Sequence, residues 1–339
     1  MPTVAIDARD AYLPQPRGFG RYTRELVAAL ERHAPPAGIQ LRVLTVGGRA
    51  PEIVWEQLSL PRLLRREGAA AIHSPNCFLP LRRPCPGVVN VHDIAFETHP
   101  EDFSRRTGWK FRTITPRAAR SAERVICLSE HTRATLHETY GVAPEKTRVV
   151  HAGPALPVGT EEPPEGPYVL AVGDLRRKKN LLRLVEAHAR LHARGLPHRL
   201  VLAGLDAGEG ERIRAAAGEA SVELTGYVGD DHLDALMRGA DLLVHPSLHE
   251  GFGLVMVEAM ARGCPVAAAR ATALPETAGD AAAYFDPYDV ADIAATVGRL
   301  LDDPGERARL AGRGRERAAD FSWDEAARRT LAIYAEVLG

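Results

Sequence analysis

Asp241–Val266 reads DLLVHPSLHEGFGLVMVEAMARGCPV, and the reading of the whole chain grows out of it. Leu242, Leu243 and Val244 form a short apolar run of the kind that parallel sheets bury on both faces. His245, Pro246 and Ser247 end the run. Gly251-Phe252-Gly253 then supplies a loop in which bare backbone can approach a ligand. Leu254–Ala261 is helix-permissive, Gly263 stands where a helix stops, and Pro265 follows it.

Two carboxylates lie in this unit. Glu250 falls on the loop and Glu258 in the helix, eight positions later. The helix is apolar almost all round, which predicts burial. A carboxylate on a buried helix needs partners, because an unpaired buried charge is costly. One reading gives Glu258 a structural arginine or a capping role. The other gives it ligand hydroxyls. The loop amides at the helix start favour an anion. A sugar nucleotide meets both demands, with a diphosphate for the amides and hydroxyls for the carboxylates.

At 339 residues the chain has room for two domains. Apolar residues make up 45% and charged residues 26%, the balance of an ordinary globular chain. No apolar run approaches the roughly 20 residues that span a bilayer, and MPTVAIDARD lacks the features of a secretory signal. Cys77, Cys85, Cys127 and Cys264 are scattered, which predicts reduced thiols in a cytoplasmic protein, with peripheral attachment at the inner face of the membrane left open. Charge is uneven. Residues 1–160 hold 22 Lys and Arg against 15 Asp and Glu, and the remainder 21 against 29. A basic half and an acidic half suggest two jobs, the basic half facing an anionic partner, unless the surface charge is incidental.

Taken in order, Thr3–Ile6 is a first strand, followed by a turn-rich stretch from Pro14 to Gly20 and a helix from about Arg21 that buries Tyr22, Leu26, Val27 and Leu30. A strand, a glycine loop and a helix can cradle phosphate, here through Gly18 and Gly20. Strands follow at 41–46, 69–73, 88–91 and 125–128, and Thr147–His151 closes this half. His73 and His92 sit at strand ends, where open α/β sheets gather ligands. For His73 a satisfied structural histidine is the favoured reading. Phe103–Arg124 interleaves Arg105, Arg106 and Lys110 with Trp109, Phe111 and Ile114. That pattern suits an acceptor or an anionic membrane surface, and the competing reading is a solvated helix face. No nucleic-acid motif appears. Pro116 is expected to kink or divide this helix.

Pro154–Pro167 has a linker's composition. The alternation of strands and helices then repeats, with strands at 168–172, 200–203, 222–225, 242–244, 266–269 and 282–285. Between the first of these and a helix at 181–192 lies a cationic turn, Gly173-Asp174-Leu175-Arg176-Arg177-Lys178-Lys179-Asn180. Helices at 232–238, 290–301, 305–319 and 324–337 complete the chain. Two such units predict an α/β protein with two doubly wound parallel sheets.

Glu250-Gly251-Phe252-Gly253-Leu254 followed by Glu258-Ala259-Met260-Ala261 resembles the Glu-x7-Glu signature of the family 4 retaining glycosyltransferases. Gly263-Cys264-Pro265-Val266 and Leu274-Pro275-Glu276 are similar to the same family, as is VNVHDIAFETHPEDF around His92-Asp93. The resemblance implies a GT-B fold, two Rossmann-like domains facing across a cleft. Residues 1–155 would form an acceptor-side domain onto which helix 324–339 packs back, and residues 156–323 a donor-binding domain. It implies that Gly18 and Gly20 lie against the donor diphosphate and that His92 approaches the donor sugar. Lys179 is assigned to the diphosphate, with Lys178 where an arginine is usual and Arg177 as its possible substitute. Gly173 opens this turn, and the base lies near Tyr227 and Val228. Glu250 approaches the hexose and Glu258 the ribose, while the amides of Gly251, Phe252, Gly253 and Leu254 contact hexose hydroxyls and phosphate. His92, Glu250 and Lys179 are thus the catalytic candidates.

Retaining members transfer on one face, the departing phosphate helping to deprotonate the acceptor, with no carboxylate nucleophile of the kind retaining hydrolases use. With no Asp-x-Asp near a strand end, no metal and no cofactor are expected beyond the nucleoside-diphosphate sugar as co-substrate. The motifs look most like bacterial mannosyl- or rhamnosyltransferases of polysaccharide assembly, which makes GDP-mannose the first donor, ahead of UDP-glucose. The acceptor would be a glycan, a lipid-linked glycan or another hydroxyl compound. The rival readings are another GT-B enzyme, such as a sugar-nucleotide epimerase or a phosphorylase, and a non-catalytic nucleotide-sugar-binding protein.

Overall fold

A computed structural model describes residues 1–12, 18–45 and 51–339. Two compact units divide the chain, Met1–Ala155 with Ser322–Gly339, and Leu156–Phe321. The stretches 13–17 and 46–50, which include part of the turn-rich segment and the end of the second strand read from sequence, lie outside the described residues.

The first unit runs β1 (Thr3–Asp7), α1 (Gly18–His33), β2 (Gln40–Leu44), α2 (Glu52–Val54), α3 (Leu60–Arg66), β3 (Ala71–Ser74), β4 (Gly87–Val91), α4 (Ala95–Thr98), α5 (Arg105–Ser121), β5 (Arg124–Cys127), α6 (Glu130–Tyr140) and β6 (Thr147–Val149). The second runs β7 (Tyr168–Val172), α7 (Leu181–His192), β8 (Arg199–Ala203), α8 (Gly210–Ala217), β9 (Val222–Gly226), α9 (Asp230–Gly239), β10 (Leu242–His245), α10 (Leu254–Ala261), β11 (Val266–Ala269), α11 (Leu274–Ala278), β12 (Ala282–Phe285), α12 (Val290–Asp302) and α13 (Pro304–Ala319). The last helix, α14 (Trp323–Leu338), returns to the first unit.

Both sheets are parallel throughout and six-stranded, in the orders β2-β1-β3-β4-β5-β6 and β12-β11-β10-β7-β8-β9. Each order reverses once, between β1 and β3 and between β7 and β10. Loops leaving the carboxyl ends of neighbouring strands part there, in opposite directions, and open a crevice. The apolar strands have helices on both faces, so Leu242, Leu243, Val244 and the whole of β11 are fully buried.

Several boundaries differ from the sequence reading. α1 begins at Gly18, so Gly18 and Gly20 occupy its first turn. Their amides belong to the set that a helix start leaves without intrahelical partners. Pro116 does not divide α5, which runs unbroken from Arg105 to Ser121 with Pro116 buried inside it. Packing of Ile114, Ala118 and Ala119 against the unit's core outweighs the lost backbone bond. Lys110 does not face outward. Its ammonium lies 3.0 Å from both Glu52 and Glu56 and 3.7 Å from the Phe78 ring centroid, which removes it from a membrane-facing set. Arg105 and Arg106 remain exposed.

α14 is fastened to the first unit by polar groups as well as by its apolar face. Ser322 caps it, accepting from the amides of Asp324 and Glu325, and Trp323 Nε1 donates to the Pro154 carbonyl at 2.9 Å. Both Ser322 and Trp323 therefore go with the first unit. Deeper in, His73 bridges Tyr334 and Asn90, each at 2.6 Å, and Asn90 Nδ2 donates to the Tyr22 hydroxyl at 2.8 Å. Asn90 Oδ1 can only accept, so His73 carries its proton on Nε2 and accepts at Nδ1 from Tyr334. His73 is thus the structural histidine that its strand-end position suggested.

Burial drives the His73 pKa down from 6.5 to about 4, and that of His92 likewise. Both are protonated more readily in the unfolded chain. Their contribution to stability is complete above pH 6.5 and declines as pH falls toward 4, by up to about 1.4 kcal/mol per pH unit for each. The urea midpoint of the first unit is expected to fall between pH 7 and pH 5, and to fall less in His73→Gln. A flat wild-type midpoint across that range would contradict the assignment.

Candidate active site

In the second unit the strand-order reversal between β7 and β10 lies among Gly173, Lys178, Lys179 and Glu250, four of the residues read as donor-binding. After β7 comes Gly173, with φ at +149°, and a Cβ there would sit 3.1 Å from Lys179 Cε. Gly204, after β8, packs so closely that a Cβ would lie 2.1 Å from the Gly173 carbonyl oxygen. Gly204 N donates to Gly226 O at 2.9 Å, which brings the end of β9, with Tyr227 and Val228, beside the same cluster. Tyr227 is exposed.

Asn180 fixes the cationic turn. Its backbone is left-handed at φ +56°, and its side-chain amide donates to Pro246 O at 3.1 Å and Pro287 O at 2.7 Å. Lys178 O accepts from Leu248 N at 2.8 Å, so the basic turn and the acidic loop are stitched together. Lys179 Nζ consequently meets Glu250 Oε1 at 2.5 Å. Arg177 reaches the other way, to Glu209 at 3.5 Å, and Arg176 lies 3.6 Å from Asp174.

His245, at the end of β10, is a residue the sequence reading used only as a strand stop. It is buried, with Nε2 3.3 Å from Glu250 Oε1. Burial alone would raise the Glu250 carboxyl, but Lys179, with His245 and Lys178 behind it, holds it well below the usual carboxylate range. Burial in turn lowers His245, against the pull of Glu250. At neutral pH the site therefore presents an ionised carboxylate beside an ammonium.

The loop that carries Glu250 is held from below. Glu250 N donates to Thr272 Oγ1 at 3.0 Å, and Thr277 Oγ1 donates to Phe252 O at 2.5 Å. The Phe252 ring packs edge-on against Phe321 at 5.3 Å, so its side chain serves the core and only its backbone can face a ligand. Gly251 is also buried. Gly253 is left-handed at φ +89°, and a Cβ there would crowd Leu274 and Met256 at 2.8 Å. With this turn, the amides that open α10 at Leu254 are left for an anion.

Glu258 is fully buried on α10. The structural arginine nearby, Arg262, takes only the Glu258 backbone carbonyl at 2.9 Å. Its guanidinium goes to Asp234 at 2.6 Å and to the carbonyls of Leu156 and Pro157. Arg262 is thereby committed to Asp234 and to these carbonyls.

The remaining candidates lie in the first unit. His92, after β4, donates from Nε2 to Pro75 O at 2.6 Å, which leaves Nδ1 as its acceptor atom. Phe19, between Gly18 and Gly20, lies against the His92 ring with centroids 4.6 Å apart. The helix start and His92 are thus one cluster. Among the described residues no group of His, Cys, Asp and Glu is arranged to hold a metal, and no helix is long and apolar enough to cross a membrane.

With this geometry in hand, two family models divide the chain between them. "Glycosyltransferase Family 4" matches residues 16–153 and "Glycosyl transferases group 1" residues 155–317. The chain belongs to glycosyltransferase family 4. It is 35% identical over 246 residues to the MMP α-(1→4)-mannosyltransferase of Mycolicibacterium hassiacum, covering 69% of this chain and 59% of that protein. It is 29% identical over 279 residues to the O-antigen chain mannosyltransferase B of Escherichia coli, covering 77% and 73%. Anabaena HepE, solved in complex with UDP-glucose, superposes with a TM-score of 0.73 at 20% identity, over 99% of each chain. The fold of this family 4 member is GT-B.

Proposed function

We propose that this family 4 protein is a retaining glycosyltransferase. It moves a hexose, mannose first, from a nucleoside-diphosphate sugar to a hydroxyl on a glycan, a lipid-linked glycan or another acceptor. The observation that carries the reading is the 2.5 Å contact between Lys179 Nζ and Glu250 Oε1 at the strand-order reversal of the second unit. A sugar nucleotide needs a cation for its diphosphate and a carboxylate for its hydroxyls, and this crevice holds one of each in contact.

In this reading Lys179, supported by Lys178 and the amides that open α10, takes up charge on the departing diphosphate. Glu250 accepts from hexose hydroxyls and Glu258 from the ribose. His92, neutral and with Nδ1 as acceptor, serves the donor sugar. The C1–O bond to the diphosphate breaks, the acceptor oxygen bonds to C1 on the same face, and the acceptor proton passes to the diphosphate. No metal has a part, since lysines and amides supply the charge. Mannose as the transferred sugar draws support from the two mannosyltransferases above, and GDP is the first choice of nucleotide. The UDP-glucose bound by Anabaena HepE keeps a UDP-linked donor as the second choice.

A panel of sugar nucleotides tested by thermal shift, with and without chelator, checks the reading. The true donor at 100 times its dissociation constant adds about 2.7 kcal/mol of stability, and GDP-mannose is expected to give the largest shift, unaffected by chelation. No shift from any sugar nucleotide would overturn the proposal.

A further inference from the structure

Glu250 Oε1 has two neighbours of unequal mobility. Lys179 Nζ lies 2.5 Å from it and His245 Nε2 3.3 Å. Lys179 reaches it along a flexible stem that runs over Gly173, where a Cβ would stand 3.1 Å from Cε and 3.5 Å from Cγ of that lysine. The bare glycine leaves the stem room to turn. His245 has no such freedom. It ends β10, which pairs with β7 and β11, and its side chain is buried. Glu250 is fixed through its backbone, because its amide donates to Thr272 Oγ1 at 3.0 Å. Thr272 presents that hydroxyl from a left-handed backbone at φ +49°, a conformation that strains a β-branched residue.

Among the described residues His245 Nε2 is shut off from solvent and completes no hydrogen bond, although a carboxylate lies 3.3 Å away. A buried polar atom left in that state calls for an explanation. A carboxylate oxygen only accepts, so the nitrogen that faces Glu250 carries the proton. Lys179 holds the shared oxygen more closely. A diphosphate asks for that same ammonium. When Lys179 turns to it, Glu250 would become a buried charge without a partner, which is costly. We propose that His245 is a positioning residue that takes over Glu250 Oε1 at that point. Lys179 can then serve the diphosphate while the carboxylate stays ionised and aimed at the hexose hydroxyls. The inference rests on the transferase reading and adds a residue that acts there only through Glu250.

The exchange has a proton signature. The charged groups that act on His245 are Glu250 from its own loop and Lys179 and Lys178 from the turn after β7. Of the other elements packed on β10, β11 sets Ala268 beside His245, the near end of β7 is apolar, none of the charged residues of α12 is buried, and α10 carries Glu258 as its one titratable group. Burial holds the imidazole below its usual range and the two lysines add to this, against the pull of Glu250. With Lys179 turned away and two phosphate groups close by, the balance moves toward the protonated ring. A group whose pKa rises on binding takes up protons, so the donor draws a proton into the protein.

Calorimetric titration of the full chain with GDP-mannose, at pH 6 in two buffers of different ionisation enthalpy, tests this. UDP-glucose replaces it where it alone binds. Both phosphates of a sugar nucleotide are diesters, so the ligand does not titrate near this pH. The wild type is expected to take up roughly half a proton or more per nucleotide. His245→Gln, which keeps an N–H for Glu250 but cannot be protonated, should take up almost none. At pH 8 His245→Gln should bind within about threefold of the wild type and His245→Leu roughly tenfold or more weakly, the worth of a hydrogen bond to a charge. In a Glu250→Ala background the His245→Leu loss should vanish, because no carboxylate remains to be held. A loss that persists there marks a merely structural histidine and overturns the inference. So does unaltered proton uptake in His245→Gln, or wild-type affinity in a folded His245→Leu. If His245→Leu does not fold, the proton counts decide. Normal binding to the wild type with no proton uptake defeats this inference alone. Absence of binding by both sugar nucleotides defeats the transferase reading and this inference with it.

Discussion

Glu250→Ala is expected to reduce turnover by about 10²- to 10³-fold while nucleoside-diphosphate affinity rises rather than falls. The carboxylate is held ionised by Lys179 and His245, so it offers charged acceptors to the hexose hydroxyls. Hydrogen bonds to a charged group are worth about 1.5–3 kcal/mol each, and those that tighten in the transition state appear directly in the rate. The same carboxylate competes for Lys179. Deleting it leaves the ammonium uncommitted and removes a negative charge beside the diphosphate. At the ~1 kcal/mol that one charge is worth at 4 Å in water, the gain in affinity is about fivefold. Glu250→Gln keeps the volume and should show the same split in milder form. Calorimetric titration with GDP alongside steady-state turnover checks both halves. An Ala variant that binds GDP ten times more weakly would show that Glu250 supports the nucleotide and does not compete with it.

Glu258→Ala is expected to weaken GDP binding by about 100-fold with little change in the turnover of bound donor. Its carboxylate is fully buried on α10, the helix that follows the Glu250 loop. Two hydroxyl hydrogen bonds to a buried carboxylate account for about 3 kcal/mol, and every 1.4 kcal/mol is a factor of ten in affinity. The loss should appear in the dissociation constant because a ribose contact is the same in the ground state and the transition state. Glu258→Gln, which keeps one acceptor oxygen, should fall between. An Ala variant that binds GDP as the wild type does, with an unaltered melting temperature, would take Glu258 out of the ribose site.

The two predictions differ in kind because the two glutamates are held differently. Glu250 sits on a loop pinned by Thr272 and Thr277 and faces a lysine. Glu258 rides a rigid buried helix whose direction is set by the left-handed turn at Gly253.

Much of this arrangement was readable from residue order. Alternation of short apolar runs with amphipathic stretches dictated two parallel sheets, since such strands must be covered on both faces. Gly253 and Gly263 bracket α10 in left-handed backbone conformations that few other residues adopt, and Pro265 follows. The two carboxylates Glu250 and Glu258, with the loop amides at the helix start between them, pointed to a sugar nucleotide.

Side-chain pairing was decided by the tertiary structure, because it depends on which strands become neighbours. Lys179 and Glu250 are 71 residues apart and meet only because β7 lies beside β10. His245 read as a strand stop until burial set it against Glu250. Lys110 read as a surface cation, but Glu52 and Glu56, more than fifty residues earlier, hold it inside. Sequence alone thus determined the two sheets and which residues follow the carboxyl ends of their strands. Which charges are available to a ligand and which are consumed by the fold was settled by the order of the strands, which brings together residues that no local pattern connects.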